Sequence, residues 1–179
     1  ISTQMYIRSG QPRGQLYTVN GHQMHLVCAG EGIPTVILLA GGGADSLWWH
    51  RIQRQLAAQT RVCAYDRPSH GWSEPTSEPR DALPIVSELR ALLQTAGVQA
   101  PYVMAGHSFG ALWARIYAAQ YPDEVVGVVL VDSTFLIPSE YDNQSEFDAW
   151  KRANDALKVL EWIAYRTGMV RLTAPGDFQ

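Results

Sequence analysis

An α/β sandwich built on a mostly parallel sheet is the fold class this sequence predicts. Short apolar runs alternate with amphipathic helical stretches, and a hairpin precedes the first alternation. At 179 residues and 46% hydrophobic content, the chain is sized for one ordinary core and a single domain.

The elements follow in order. Gln15–Val19 and Gln23–Ala29 read as two strands joined at Asn20-Gly21, a dipeptide that favours a tight hairpin turn. Thr35-Val36-Ile37-Leu38-Leu39-Ala40 is a continuous run rich in β-branched residues, as a strand buried on both faces requires. Gly41-Gly42-Gly43 comes next, then a helix from Ser46 to Gln59 with Asp45 or Ser46 as its cap. Arg61–Asp66 is the fourth strand, and residues 74–82 form a loop rich in Pro, Ser and Glu. Pro84 to Ala96 has apolar residues at helical spacing and is stopped by Gly97. Tyr102–Ala105 is a strand, followed after a short glycine-flanked segment by a helix to Gln120, with Pro122 just beyond. Val125–Val131 reads as another buried strand. From Ser145 to Thr167 an amphipathic helix carries Phe147, Trp150, Leu157, Leu160 and Ile163 on one side, and no strand follows it.

Composition narrows the function. The net charge of -3 contains no long like-charge run, so no nucleic-acid or anionic-membrane partner is expected. No His, Cys and Asp spacing suggests a metal site, and no cofactor is implied. No signal peptide or bilayer-length apolar run is visible. Cys28 and Cys63 each fall in a strand, and two buried free thiols are expected. A cross-strand disulfide is the alternative. A cytoplasmic location is the default, and a disulfide would instead imply export to an oxidising compartment.

The segment Gly106-His107-Ser108-Phe109-Gly110 carries the chemistry. A serine between strand and helix, with glycine two residues either side, is the sequence form of a nucleophile elbow. Such a serine attacks an acyl carbon, and the next residue, Phe109, offers its backbone N–H to the oxyanion. Gly42 is the expected second donor and Gly43 the next, because a glycine run lets the backbone approach a substrate closely. The plainer alternatives are a helix-capping serine at 108 and an ordinary strand-to-helix turn at 41–43. A serine hydroxyl needs a base, yet His22, His25, His50, His70 and His107 all precede Ser108. His107 adjoins the serine but belongs on the opposite face of a strand, and a structural role is expected for it. Asp66 and Arg67 are expected to brace the loop after the fourth strand. Trp48 and Trp49 are expected to pack on the core rather than line an acyl pocket.

With these residues in place, the chain resembles the α/β-hydrolase superfamily, and bacterial members in particular. Tyr65-Asp66-Arg67-Pro68 through Gly71-Trp72-Ser73, Tyr121-Pro122-Asp123-Glu124-Val125-Val126 and Leu130-Val131-Asp132-Ser133 carry the likeness beside the elbow. The resemblance implies a loose arm over 1–14, a core of the first six strands over 15–135, and the start of a helical cap over 136–179. It implies a serine esterase or amidase acting on a small-molecule ester or amide through an acyl-enzyme on Ser108. Asp132 stands where some relatives place the catalytic acid; more place it after a seventh strand. The base, and in most relatives the acid, then belong to a C-terminal segment of the same protein that this sequence lacks. Beginning at Ile1 rather than Met, the sequence is expected to be cut from something longer, and inactive alone. An inactive remnant or small-molecule binding module is the alternative. Dehalogenases of the superfamily carry Asp at the elbow, which Ser108 argues against. Two positions depart from the pattern: Ala40-Gly41 replaces a common His-Gly, and Ser69 stands where glycine is usual.

Overall fold

A computed structural model describes residues 12–77 and 81–133 of the chain. Strands β1 (Gln15–Val19), β2 (His22–Ala29), β3 (Thr35–Leu39), β4 (Val62–Tyr65), β5 (Tyr102–His107) and β6 (Val125–Val131) form one sheet in the order β1-β2-β4-β3-β5-β6. The β1–β2 and β2–β4 pairs are antiparallel, and β4, β3, β5 and β6 run parallel. The alternation of strands and helices leads to the sheet it predicts.

Local chemistry explains the hairpin. Asn20 and Gly21 both take positive φ, 49° and 84°, as a turn that follows the right-handed twist of its strands requires. Helix α1 (His50–Leu56) is preceded by a 3-10 turn, Ser46–Trp49, capped by Asp45, whose carboxylate accepts from the Leu47 N–H at 3.0 Å. The expected single helix to Gln59 is therefore two shorter pieces. Helix α2 (Ala82–Thr95) starts two residues earlier than expected, with Pro84 tolerated in the first turn. It ends at Gly97, φ 64°, where the Val98 N–H returns to Leu93 O and the Gly97 N–H to Gln94 O. Helix α3 (Phe109–Gln120) follows β5 with Ser108 alone between them. β5 runs two residues beyond its expected end.

Side-chain alternation along the central strands makes two cores. Ile37, Leu39, Cys63 and Met104 face α2 and α3, meeting Leu89, Leu92, Trp113 and Tyr117. Leu38, Ala40, Val62 and Ala64 face the other way onto Trp49 and Leu56. β6 departs from expectation: it is half-buried, with Val126 and Val131 exposed, because β5 is its only neighbour among the described residues.

The free-thiol expectation is corrected. The antiparallel register sets Cys28 opposite Cys63 with Cα atoms 4.1 Å apart, and the two are joined as a disulfide. The amphipathic stretch over 145–167 lies outside the described residues, as do 1–11 of the expected arm. No helix among the described residues is long and apolar enough to cross a membrane.

Candidate active site

The parallel strands β4, β3 and β5 are neighbours, so the loops leaving their C-terminal ends meet along one edge of the sheet. These are the Asp66–Ser73 loop, the Gly41–Ala44 loop and the bend at Ser108.

Ser108 holds φ 52° and ψ −122°, a conformation that costs a non-glycine residue about 1–3 kcal/mol. The surroundings enforce it. Its N–H donates to Val131 O at 3.1 Å, and its own carbonyl accepts from the Ala111 N–H at 3.0 Å. The flanking glycines are required by contact: a Cβ on Gly106 would strike the Gly110 carbonyl, and one on Gly110 would strike the Leu39 carbonyl. Although Ser108 occupies the capping position of α3, its side chain makes no capping hydrogen bond. The serine side chain is thus not spent on the cap, and the half-buried residue stands at the positive end of a 12-residue helix.

The glycine loop lies against this bend. A Cβ built on Gly41 would sit 3.2 Å from Ser108 Cβ, and one on Gly42 3.4 Å from the Phe109 ring. Gly42 and Gly43 are exposed, and neither amide N–H meets a hydrogen-bond acceptor among the described residues. Phe109 N–H begins α3 and has no intrahelical acceptor. The Phe109 ring is 46% exposed and leans on Trp113 at 6.5 Å.

Behind the loop, Asp66 and Arg67 do brace, though in separate directions. Fully buried Asp66 accepts from the Ser46 N–H at 2.6 Å and the Trp72 N–H at 3.0 Å, and lies 2.9 Å from His25 Nδ1. Burial pushes its pKa up, but the hydrogen bonds from His25, Trp72 and Ser46 outweigh it and hold the carboxyl below its ordinary range. Asp45 is raised by burial and by the nearby Asp66 charge, which outweigh its hydrogen bond from the Leu47 N–H. Arg67 reaches instead to the glycine loop, donating to the carbonyls of Ala40, Gly41 and Gly42 at 2.8 Å each and Ala44 at 3.3 Å. Its guanidinium stacks 4.3 Å from the Trp113 ring centroid. Ser69 takes φ 68°, the backbone expected of the glycine it replaces.

Of the remaining residues, Asp132 follows Val131, which pairs in register with His107, so it stands at the strand end beside Ser108. It is exposed, and no hydrogen bond joins it to a histidine among the described residues. His107 stacks on Trp48 with centroids 5.2 Å apart, and its Nδ1 is buried without a partner. His70 Nε2 sits 2.9 Å from Gly42 O and its Nδ1 3.1 Å from Pro68 O. Trp49 packs in the core as expected, whereas Trp48 is 61% exposed over His107. A cavity of about 440 Å³ opens beside the loop, lined by Gly42, Arg67, Ile85, Phe109, Leu112 and Trp113 among others. No group of three or more potential metal ligands occurs among the described residues. The His25–Asp66 pair and the Arg67 clamp escaped sequence reasoning, since each joins residues more than twenty positions apart.

Comparison with known proteins identifies the fold. The profile of the α/β hydrolase fold matches residues 34–164. A superfamily protein described as an AB hydrolase from Gibberella zeae is 36% identical over 104 residues, covering 56% of this chain and 32% of its own. The solved epoxide hydrolase CorEH superposes with a TM-score of 0.63 at 27% identity, over 70% of this chain and 47% of that one. A thermophilic esterase from Thermogutta terrifontis shares the fold, with a TM-score of 0.62 at 22% identity over 69% and 46% of the two chains. The chain spans 28% and 32% of the first two curated relatives it matches.

Proposed function

Because the chain belongs to the α/β hydrolase fold family, we propose that it is the acyl-accepting half of a serine hydrolase for a small carboxylic ester or amide. One observation carries the reading: a serine held at positive φ on a glycine-flanked bend, its hydroxyl left out of the helix cap.

In this mechanism Ser108 Oγ attacks the carbonyl carbon while its proton passes to a base. The carbonyl π electrons move onto oxygen, which the N–H groups of Phe109 and Gly42 receive. Collapse of the tetrahedral intermediate expels the alcohol or amine and leaves the acyl group on Ser108; water then hydrolyses it. Amides already in place accept this charge without reorganising, and one such donor contributes roughly 10²–10³ in rate. The adjacent apolar cavity, about 440 Å³, suits an apolar acyl or alcohol group of modest size.

The base is the missing participant. All five histidines precede Ser108; His25 is buried against Asp66, and His107 faces the tryptophans. The base is proposed to come from a C-terminal segment of the same polypeptide, with Asp132 or a later carboxylate as acid. The same absence favours a second reading, a remnant that binds ligand without turning it over. The Cys28–Cys63 bond supports a working place in an oxidising compartment.

Fluorophosphonate labelling and aryl-ester hydrolysis by the complete polypeptide test the proposal. Labelling at Ser108 and loss of turnover in Ser108→Ala are expected. Turnover that survives Ser108→Ala rejects it, and ligand binding without labelling selects the remnant.

A further inference from the structure

We infer that Arg67 is a positioning residue, whose buried guanidinium aims the amides of the glycine loop. The inference rests on the serine-hydrolase reading and deepens it.

The loop has an orientation problem. Gly41, Gly42 and Gly43 have no side chains to fix their peptide planes, and glycine is the residue freest to rotate them. An amide that must receive an oxyanion has to be aimed before the charge appears. In a planar trans peptide the C=O of one residue and the N–H of the next point in opposite directions. Whatever grips the carbonyls therefore directs the amides.

Arg67 grips them. Its Nη2 donates to Gly41 O and Gly42 O at 2.8 Å each, and His70 Nε2 meets Gly42 O from another side at 2.9 Å. With the Gly41 and Gly42 carbonyls turned to the guanidinium, the Gly42 and Gly43 N–H groups are turned away from it. They reach the open side of the loop, where both residues are exposed and nothing lies within 4 Å of a Cβ built on Gly43. Nη1 adds Ala40 O at 2.8 Å, tying the loop to the end of β3. Arg67 is 4% exposed and its guanidinium carbon sits over the Trp113 ring, so burial and that contact confine the fork. A lysine ammonium is a point charge on a flexible stem and cannot reproduce that spread of donors. The sheet order makes the device feasible: β3 lies between β4 and β5, so the glycine loop sits between Arg67 and Ser108.

The test uses Arg67→Ala and Arg67→Lys in the complete polypeptide. Arg67→Ala is expected to lower kcat for an aryl ester about 10²–10³-fold while KM stays within a few-fold, the mark of a contact made in the transition state. Guanidinium ion below denaturing concentration enters the vacated site from the cavity and restores part of the rate. Arg67→Lys keeps the fold and loses about tenfold or more, with displaced Gly42 and Gly43 amide resonances. Wild-type kcat in Arg67→Lys with unmoved amide resonances overturns the inference. So does a loss in Arg67→Ala that tracks unfolding and is not restored by guanidinium, if Arg67→Lys is unimpaired. Should Ser108→Ala retain full turnover, the hydrolase reading fails, and the amide resonances still decide whether Arg67 aims the loop.

Discussion

Reducing the Cys28–Cys63 bond is expected to cost about 4 kcal/mol of stability. The two residues are 35 apart in sequence. A cross-link closing a loop of that length removes about 13 cal/mol/K from the unfolded chain, or about 3.8 kcal/mol at 25 °C. The native state has little reason to return it on reduction, because the sheet register keeps both side chains opposed within the β2–β4 ladder. Equilibrium urea unfolding of the same protein, oxidised and then reduced, measures the difference without changing composition. With a slope of about 2 kcal/mol per molar urea, the midpoint falls by about 2 M. The measurement is valid only if thiol titration finds both sulfurs protected before reduction and free after it. An unmoved midpoint under those conditions refutes the chain-entropy argument. Two titratable thiols in native, unreduced protein would refute the bond itself.

Residues 1–179 alone should hydrolyse an activated aryl ester only about 10³–10⁴-fold above water, a loss of about 10⁶ relative to an enzyme with an intact triad. Robust Ser108-dependent turnover by this chain would mean that one of the five histidines is the base. Gly110→Ala should cost about 1–3 kcal/mol, since the added methyl meets backbone rather than a yielding side chain. It should also lower kcat of the complete polypeptide about 100-fold by displacing the bend, a loss that steady-state kinetics beside thermal melting would separate from unfolding. Asp66→Asn should destabilise by about 1.5–3 kcal/mol, because buried hydrogen bonds to an ionised carboxylate are weakened or lost. Because the folded Asp66 pKa lies below its unfolded value, its stabilisation is complete above the ordinary carboxylate range and lost as pH falls through the folded value. Urea midpoints measured from pH 7 downward should therefore drop in wild type and flatten in Asp66→Asn. Asp45, shifted upward, works the other way and blunts the effect.

Features legible from sequence were those decided by residues close in the chain. Asn20-Gly21 reads as a tight turn and takes positive φ twice, and Gly97 reads as a helix stop and closes α2 as one. The elbow was legible for the same reason, since its glycines, strand and helix lie within a dozen positions. Its boundary errors were short-range: a helix begun two residues late, a strand ended two residues early. β6 was read as buried because its composition suits burial, while its exposure depends on how many neighbours it has.

The sequence by itself determined a strand-helix alternation, a sheet, and a serine on a bend with a glycine loop nearby in function. Only the tertiary structure decided that Cys28 meets Cys63, that Asp66 is held by His25, and that Arg67 turns the loop's carbonyls inward. Each of those pairs spans more than twenty residues, and what brings them together is strand order and register. Those follow from the packing of every strand on both cores at once, a condition no local run of residues contains.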